Sequence, residues 1–215
     1  MKEISKANTP PYVRYLSRLS GHFPNFDFFF IKSVRQKAVE LLNLKHGNRV
    51  IDAGCGSGGS FPYLVRAVSS AGEVVGIEIS PESTFSARRR IAKNEWGNVE
   101  VIESPAQTVV LTGMFDGLLM FAAPDVYASE EALNNIIPHL RENARVAAFG
   151  AKLTSHRLGR ILNPVLKTLI KLSFSTTPKP DYESWRVLSK YVEGIEVKEY
   201  FFGLMFLASG SVARR

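Results

Sequence analysis

The sequence predicts an α/β domain with a doubly wound, largely parallel sheet that ends in an antiparallel pair. Three observations carry that prediction. Short apolar runs alternate with helical patterns from residue 47 to 151, which is how consecutive βαβ units read in a sequence. A glycine-rich turn, Ala53 to Gly59, joins the first of those runs to a helix. The two final runs, Ile195 to Phe202 and Leu204 to Ser209, are separated by Gly203 alone. A parallel pair needs a crossover of a dozen residues or more, so these two strands must be antiparallel.

The elements follow in order. Ile31, Val34, Ala38, Leu41 and Leu42 recur at helical steps and predict a helix from about Asp27 to Gly47. Arg49 to Asp52 reads as a short buried strand, and Phe61 to Ser70 as the helix after the glycine turn. Glu73 to Glu78 is a second strand. Ser80-Pro81 is a helix start, with a capping hydroxyl and a proline at the first helical position, for a helix reaching Asn94. Val99 to Glu103 and Phe115 to Phe121 are strands, Ser129 to Leu140 a helix, and Arg145 to Gly150 a fifth strand. Beyond 152, helical segments are broken by Gly159, Pro164 and Pro178-Lys179-Pro180, and a further helix is predicted over Asp181 to Tyr191.

A chain of 215 residues and 23.9 kDa is one domain. It divides into an N-terminal lid and first helix (1–46), a ligand-binding core (47–151), cap helices (152–194) and a C-terminal strand pair (195–215). Hydrophobic residues at 45% and charged residues at 22% exclude wholesale disorder. Lys and Arg outnumber Asp and Glu by 27 to 20, and the net charge of +7 favours an anionic partner. Cys55 is the one cysteine, so disulfides and cysteine zinc clusters are excluded and no metal is expected. The polar start does not lead a secretory signal, and the apolar runs fall short of a bilayer span. A cytoplasmic setting is expected, with peripheral membrane contact left open.

The loop Asp52-Ala53-Gly54-Cys55-Gly56-Ser57-Gly58-Gly59 is the strongest local signal. A turn of this kind after the first strand of an open sheet lies at the carboxyl edge, where ligands bind. Glu78 ends the next strand, where an acceptor can hold the two hydroxyls of a ribose, and Ile79 is placed to pack on an adenine face. Gly54, Gly56 and Gly59 also satisfy the dinucleotide spacing. Asp52 argues against a dinucleotide, because a carboxylate before the first glycine repels pyrophosphate. A cofactor with a cationic amino acid end gains from it instead.

Val50 to Gly59, followed by Val75-Gly76-Ile77-Glu78-Ile79-Ser80-Pro81, resembles the first two motifs of the class I S-adenosylmethionine-dependent methyltransferases. The resemblance covers roughly 30–150 and 195–210. It implies a seven-stranded, Rossmann-like sheet with an antiparallel last strand, helical lid segments and S-adenosylmethionine as cofactor. It also implies a cofactor-facing set: Asp52, Gly54, Cys55, Gly56, Gly58, Glu78, Ile79, Pro105, Ala106 and Phe121. Asn48-Arg49 through Leu64, Trp96 to Val99, and Tyr200 to Gly210 are similar to relatives of the phospholipid N-methyltransferases. The first motif is also similar to the ubiquinone and menaquinone methyltransferases. Two positions depart from the family pattern. Pro105 stands where an acidic residue usually reads the adenine amine, which leaves the Ala106 N–H and packing to hold the base. Asn143-Ala144 replaces a Gly-Gly turn before the fifth strand.

The acceptor has to be read from the lids. Tyr12, Tyr15, Phe23, Phe26, Phe28, Phe29 and Phe30 make the N-terminal lid aromatic, suited either to an apolar tunnel or to plain packing. Tyr12, Tyr15 and His22 are the substrate candidates, and no catalytic residue is identified. From Arg157 to Leu172 an apolar stripe runs beside Arg157, Arg160, Lys167 and Lys171 with no acid, which suits an anionic membrane surface or a cap helix. Arg88-Arg89-Arg90 and Arg214-Arg215 are further basic clusters, but no nucleic-acid module accompanies them, and nucleic acid is not expected as a partner. The expectation is methyl transfer to an apolar or lipid-linked small molecule, at nitrogen first. A quinone-like C- or O-methyltransferase and a non-catalytic S-adenosylmethionine- or nucleotide-binding module are the alternatives.

Overall fold

The computed structural model describes residues 29–156, 163–164, 183 and 185–213. Helix α1 (Phe29–Leu41) leads into β1 (Arg49–Ala53), α2 (Phe61–Val68), β2 (Glu73–Glu78), α3 (Pro81–Lys93), β3 (Val99–Glu103) and β4 (Phe115–Phe121). Helices α4 (Pro124–Tyr127) and α5 (Glu130–Ile136), β5 (Leu140–Ala151), β6 (Val192–Tyr200) and β7 (Met205–Val212) complete it. The strands form one seven-stranded sheet in the order β3-β2-β1-β4-β5-β7-β6. Strands β1 to β5 pair in parallel, and β7 is antiparallel to both β5 and β6. The strand order turns back between β1 and β4, and the ligand crevice of an open sheet forms at the carboxyl ends beside such a switch point.

Successive strand residues face opposite sides, so a sheet covered on both faces needs apolar residues at nearly every position. Ile51, Val75, Leu118, Met120 and Phe206 face one core with Val126, Tyr127 and Leu133 of α4 and α5. Val50, Val74, Leu119, Ala147 and Leu207 face the other with Val34, Ala38, Phe61, Leu64 and Ala87 of α1, α2 and α3. Capping fixes two helix starts. The Ser80 Oγ accepts from the Ser83 N–H at 3.3 Å, and the Ser129 Oγ from the Ala132 N–H at 3.2 Å.

Several boundaries differ from the sequence expectation. The helix over 129–140 stops at Ile136 and tightens into a 3₁₀ turn, Ile137–His139. Strand β5 begins at Leu140 rather than Arg145, and Asn143-Ala144 lies in a bulge within it, not in a turn before it. Phe115 pairs with Leu140 and Gly117 with Arg145; the extra residues bulge out, with Asn143 at φ 61°, while Leu140 and Ala144 stay buried. Of the helix expected over 181–191, the described part is a turn followed by a 3₁₀ turn, Leu188–Lys190. Trp185 and Leu188, three residues apart, both pack into the core, a spacing that suits 3₁₀ geometry. Strand β6 ends at Tyr200 because Phe201 and Phe202 turn left-handed, at φ 49° and 55°, ahead of Gly203. The 1–28 lid, with Tyr12, Tyr15 and His22, lies outside the described residues. So do Arg157, Arg160, Lys167 and Lys171 of the basic stripe, and Arg214-Arg215. Among the described residues no helix is long and apolar enough to cross a membrane.

Candidate functional site

Strand β1 delivers Asp52 to the carboxyl edge, and the chain then folds back over the end of β2. The Gly54 and Cys55 N–H groups both donate to the Ile77 carbonyl, at 2.8 and 3.1 Å. Gly54 sits at φ +74°, and a Cβ there would lie 2.5 Å from the Ala123 Cβ at the end of β4. Only glycine allows that backbone and that approach together. Gly56, at φ +55°, has open space where a Cβ would stand, so this flank of the loop faces outward from the packed core. Gly58 instead backs onto the Phe61 ring.

Glu78 ties the loop to the start of α3. Its Oε2 accepts from the Gly56 N–H at 2.9 Å, and its Oε1 accepts from the Ser80 N–H at 2.8 Å. A carboxylate has about four acceptor sites, so these two bonds leave capacity for the hydroxyls of a ribose. The loop is therefore shaped before any ligand arrives.

Asp52 is the electrostatic centre. It is fully buried, and neither carboxylate oxygen has a hydrogen-bond partner of normal geometry. Burial pushes its pKa up to about 7; the Arg35 guanidinium and the Ser60 hydroxyl pull it back, while the Glu78 charge adds to the rise. Such a group is costly to keep ionised unless a cation meets it. Cys55 points the other way. Its sulfur packs toward Gly76, and burial pushes the thiol well above its ordinary range. Its backbone, not its side chain, is the part placed along the loop.

Arg35 was not singled out in the sequence. It reaches from α1 across to the glycine loop, where its Nη1 donates to the Ser60 Oγ at 2.9 Å. The guanidinium lies 4.1 Å over the Phe121 ring and 3.1 Å from where a Gly59 Cβ would stand. Phe121 stacks on Phe149 at 4.5 Å, so this cofactor-set residue supports Arg35 from below. The signal was present: Arg35 falls four residues after Ile31 and three before Ala38, on the apolar face of α1.

On the adenine side, Ile79 is 64% exposed at the edge, Pro105 is exposed and Ala106 is buried. The Ser104 N–H donates to the Glu78 carbonyl at 3.0 Å. Asn135 Nδ2 holds the Ala106 and Val109 carbonyls at 3.1 and 2.9 Å. Gln107 Nε2 donates to the Asp125 carbonyl at 3.4 Å, and the Asp125 Oδ1 is buried with no partner. Asp125 was also missed, since an acid after proline at a helix start reads as a dipole partner. His156 stands at this same edge with its ring 5.7 Å from Phe202.

These residues fit S-adenosylmethionine. A buried carboxylate without a partner suits a cationic end, Gly56 leaves room along the loop, and Glu78 retains acceptor capacity. Comparison with known proteins agrees. A protein of transposon Tn4556 from Streptomyces fradiae is 37% identical over 87 residues, 40% of this chain and 24% of that protein. The ubiquinone/menaquinone biosynthesis C-methyltransferase of Stutzerimonas stutzeri is 25% identical over 176 residues, 78% of this chain and 66% of that one. The matches span a quarter or less of the first curated relatives' length. A crystal structure of an S-adenosylmethionine-dependent methyltransferase from Aquifex aeolicus shares the fold, with a TM-score of 0.62 at 20% identity over 95% of this chain and 99% of that chain. Family and fold imply S-adenosylmethionine as the cofactor. The methyltransferase domain family matches residues 44–157, more than half of the sequence, and the chain belongs to it.

Proposed function

We propose that this chain methylates an apolar or lipid-linked small molecule. S-adenosylmethionine supplies the methyl group on a cationic sulfur. The protein's own part is to hold the amino acid end at Asp52 and the glycine loop, to hold the ribose at Glu78, and to align an acceptor while excluding water. One observation carries the acceptor class. Ile79, Phe85, Phe201 and Phe202 are large apolar side chains exposed around the carboxyl edge, on both sides of the cofactor loop. The pairing of Ala151 with Met205 brings the Phe201–Leu204 turn to that edge. Exposed apolar groups spread along the edge that carries the site favour an apolar ligand or surface.

Transfer to an amine nitrogen is the first reading, because a neutral amine needs alignment and no base. A quinone-like ring, methylated at carbon or oxygen, is favoured by a specific pair of observations. These are the C-methyltransferase relative and the unpartnered Asp125 Oδ1 beyond β4, a candidate base. Peripheral contact with an anionic membrane belongs to the same reading, and nucleic acid does not. The test is methyl transfer from labelled S-adenosylmethionine to phosphatidylethanolamine vesicles, a demethylated isoprenoid quinone and bulk RNA. Label in the first supports nitrogen, and label in the second supports the ring. Label in RNA alone overturns the acceptor class.

A further inference from the structure

We infer that the Phe201–Leu204 turn between β6 and β7 is a membrane anchor, whose two phenylalanine rings enter the headgroup–acyl boundary of a bilayer. The inference rests on the apolar-acceptor reading, because an acceptor kept in a lipid phase requires an enzyme that reaches that phase.

The backbone gives the first reason. The Gly203 N–H donates to the Tyr200 carbonyl at 3.1 Å, closing a turn with Phe201 and Phe202 at its centre. Their φ angles are 49° and 55°. Turns with two positive central φ angles favour Asn and Gly, and a bulky side chain there is strained. Packing repays little of that strain. Phe202 meets the His156 ring at 5.7 Å, yet Phe201 is 46% exposed and Phe202 57% exposed. Two large rings are held outward where small polar residues would sit more easily.

The second reason is rigidity. The Leu204 N–H donates to the Phe201 carbonyl at 3.1 Å, and the Lys152 N–H to the Leu204 carbonyl at 3.0 Å. The Thr154 Oγ1 donates to the Phe202 carbonyl at 2.8 Å. The turn is thus tied to the end of β5 through its backbone, and docking its rings orders no loop.

Charge and size select the occupant. From Val197 to Arg215 the single acid is Glu199, and its carboxylate lies 2.8 Å from the Lys152 Nζ. The turn therefore brings no unmatched negative charge to an anionic surface, while Lys198, 5.6 Å from the Tyr200 ring, supplies a cation behind it. Tyr and Lys beside an apolar tip are residues that settle at headgroup level. A specific protein interface takes about 800 Å² and roughly 20–30 residues from each partner, more than this turn offers. A bilayer needs no complementary surface. Ala151 pairs with Met205, so the turn stands at the carboxyl edge of the sheet, and a bilayer meeting it lies beside the route of an apolar acceptor.

The experiment is sedimentation of the full chain with neutral phosphatidylcholine vesicles and with phosphatidylcholine–phosphatidylglycerol vesicles. Wild type should pellet with both, and more with the second. Phe201→Asn combined with Phe202→Gly should lose about tenfold or more in partitioning onto both. These residues suit the turn, so the double variant should melt no lower than wild type and keep its S-adenosylmethionine affinity. Phe201→Trp should still partition, and bromine on the lipid acyl chains should quench the emission it adds. Wild-type protein that pellets with neither vesicle overturns the anchor, as does a double variant that pellets like wild type. A double variant that melts well below wild type also overturns it, as does Phe201→Trp emission that brominated lipid leaves unchanged, because the rings then pack rather than insert. Self-association lost in the double variant, without vesicle binding, would assign the rings to a second copy and overturn it too. The labelled-methyl assay keeps the two readings apart. Label in a detergent-dispersed lipid or quinone without vesicle binding removes the anchor alone; vesicle binding with label only in RNA removes the acceptor class alone.

Discussion

Asp52→Asn gives the sharpest test of the electrostatic account. The substitution removes a charge from a fully buried position while keeping nearly the same shape. Asp52 titrates near 3.8 when unfolded and at about 7 in the folded, cofactor-free chain. The folded state therefore retains a proton that the unfolded state has already lost between those values. Stability falls as pH rises through that window and levels off above 7. The difference of about three units corresponds to about 4 kcal/mol as an upper bound. Asparagine still leaves an amide seeking partners, which reduces the gain to about 2 kcal/mol. For a chain of this length that is roughly 4–8 °C in melting temperature. Melts of ligand-free wild type and variant from pH 4 to 8.5 should cross: the variant is the less stable at the acid end, gains on wild type as pH rises from 4 to 7, and is the more stable by a constant margin above 7. The same variant should bind S-adenosylmethionine at least tenfold less tightly at pH 8, since its ammonium loses a carboxylate. A pH-independent difference, or a variant less stable at pH 8, would refute the assignment of an uncompensated charge to Asp52.

Four further outcomes are expected. Gly54→Ala should cost about 2–4 kcal/mol in chemical denaturation, since the new Cβ meets Ala123 and φ is positive. Glu78→Ala should weaken S-adenosylmethionine by about 1–3 kcal/mol in calorimetry, through lost ribose contacts and the freed Gly56 and Ser80 N–H groups. Lys152 is buried, with its Nζ 2.8 Å from the half-exposed Glu199 carboxylate and 5.6 Å from the Trp185 ring. Lys152→Met should cost less stability than Glu199→Gln, because the second leaves a buried ammonium without its partner. Replacing Arg157, Arg160, Lys167 and Lys171 with Gln should abolish salt-sensitive sedimentation with anionic vesicles and leave cofactor affinity intact; equal binding to neutral vesicles would count against the basic stripe.

The sheet was legible because strands buried on both faces leave unbroken apolar runs. Glu73–Glu78 and Phe115–Phe121 follow those runs, while the edge strand Val99–Glu103 reads by alternation, with Val99 and Val101 buried and Glu100 and Glu103 exposed. The antiparallel end was legible from the shortness of one linker. The glycine loop and Glu78 were legible because both lie on consecutive strand ends, where sequence order and spatial order agree. Arg35 was not, because its contact with Ser60 spans 25 residues and a charge on an amphipathic helix reads as solvated. The end of β6 was missed for a local reason. Aromatic residues favour strands, but the tight return from β6 to β7 forces Phe201 and Phe202 left-handed against that preference. The early start of β5 was hidden by Glu142 and Asn143, polar residues that a bulge carries outward.

The glycine loop is held from three directions in the cofactor-free chain: by β2 through Ile77 and Glu78, by α1 through Arg35, and at its first glycine against Ala123. Its shape is thus already made, and what remains open is charge. A ligand that brings a cation to Asp52 recovers the cost of burying that carboxylate, whereas a pyrophosphate adds a second negative group to a place that water does not reach. The preference for a cationic cofactor over a dinucleotide is therefore a function of the Asp52 proton. Below pH 7 the neutral acid neither attracts an ammonium strongly nor repels a phosphate strongly. Above it both effects grow together, so discrimination between S-adenosylmethionine and NAD should widen as pH rises from 6 to 8, even though the loop geometry is unchanged. A constant ratio of the two affinities across that range would mean that the loop selects by shape, with Asp52 silent.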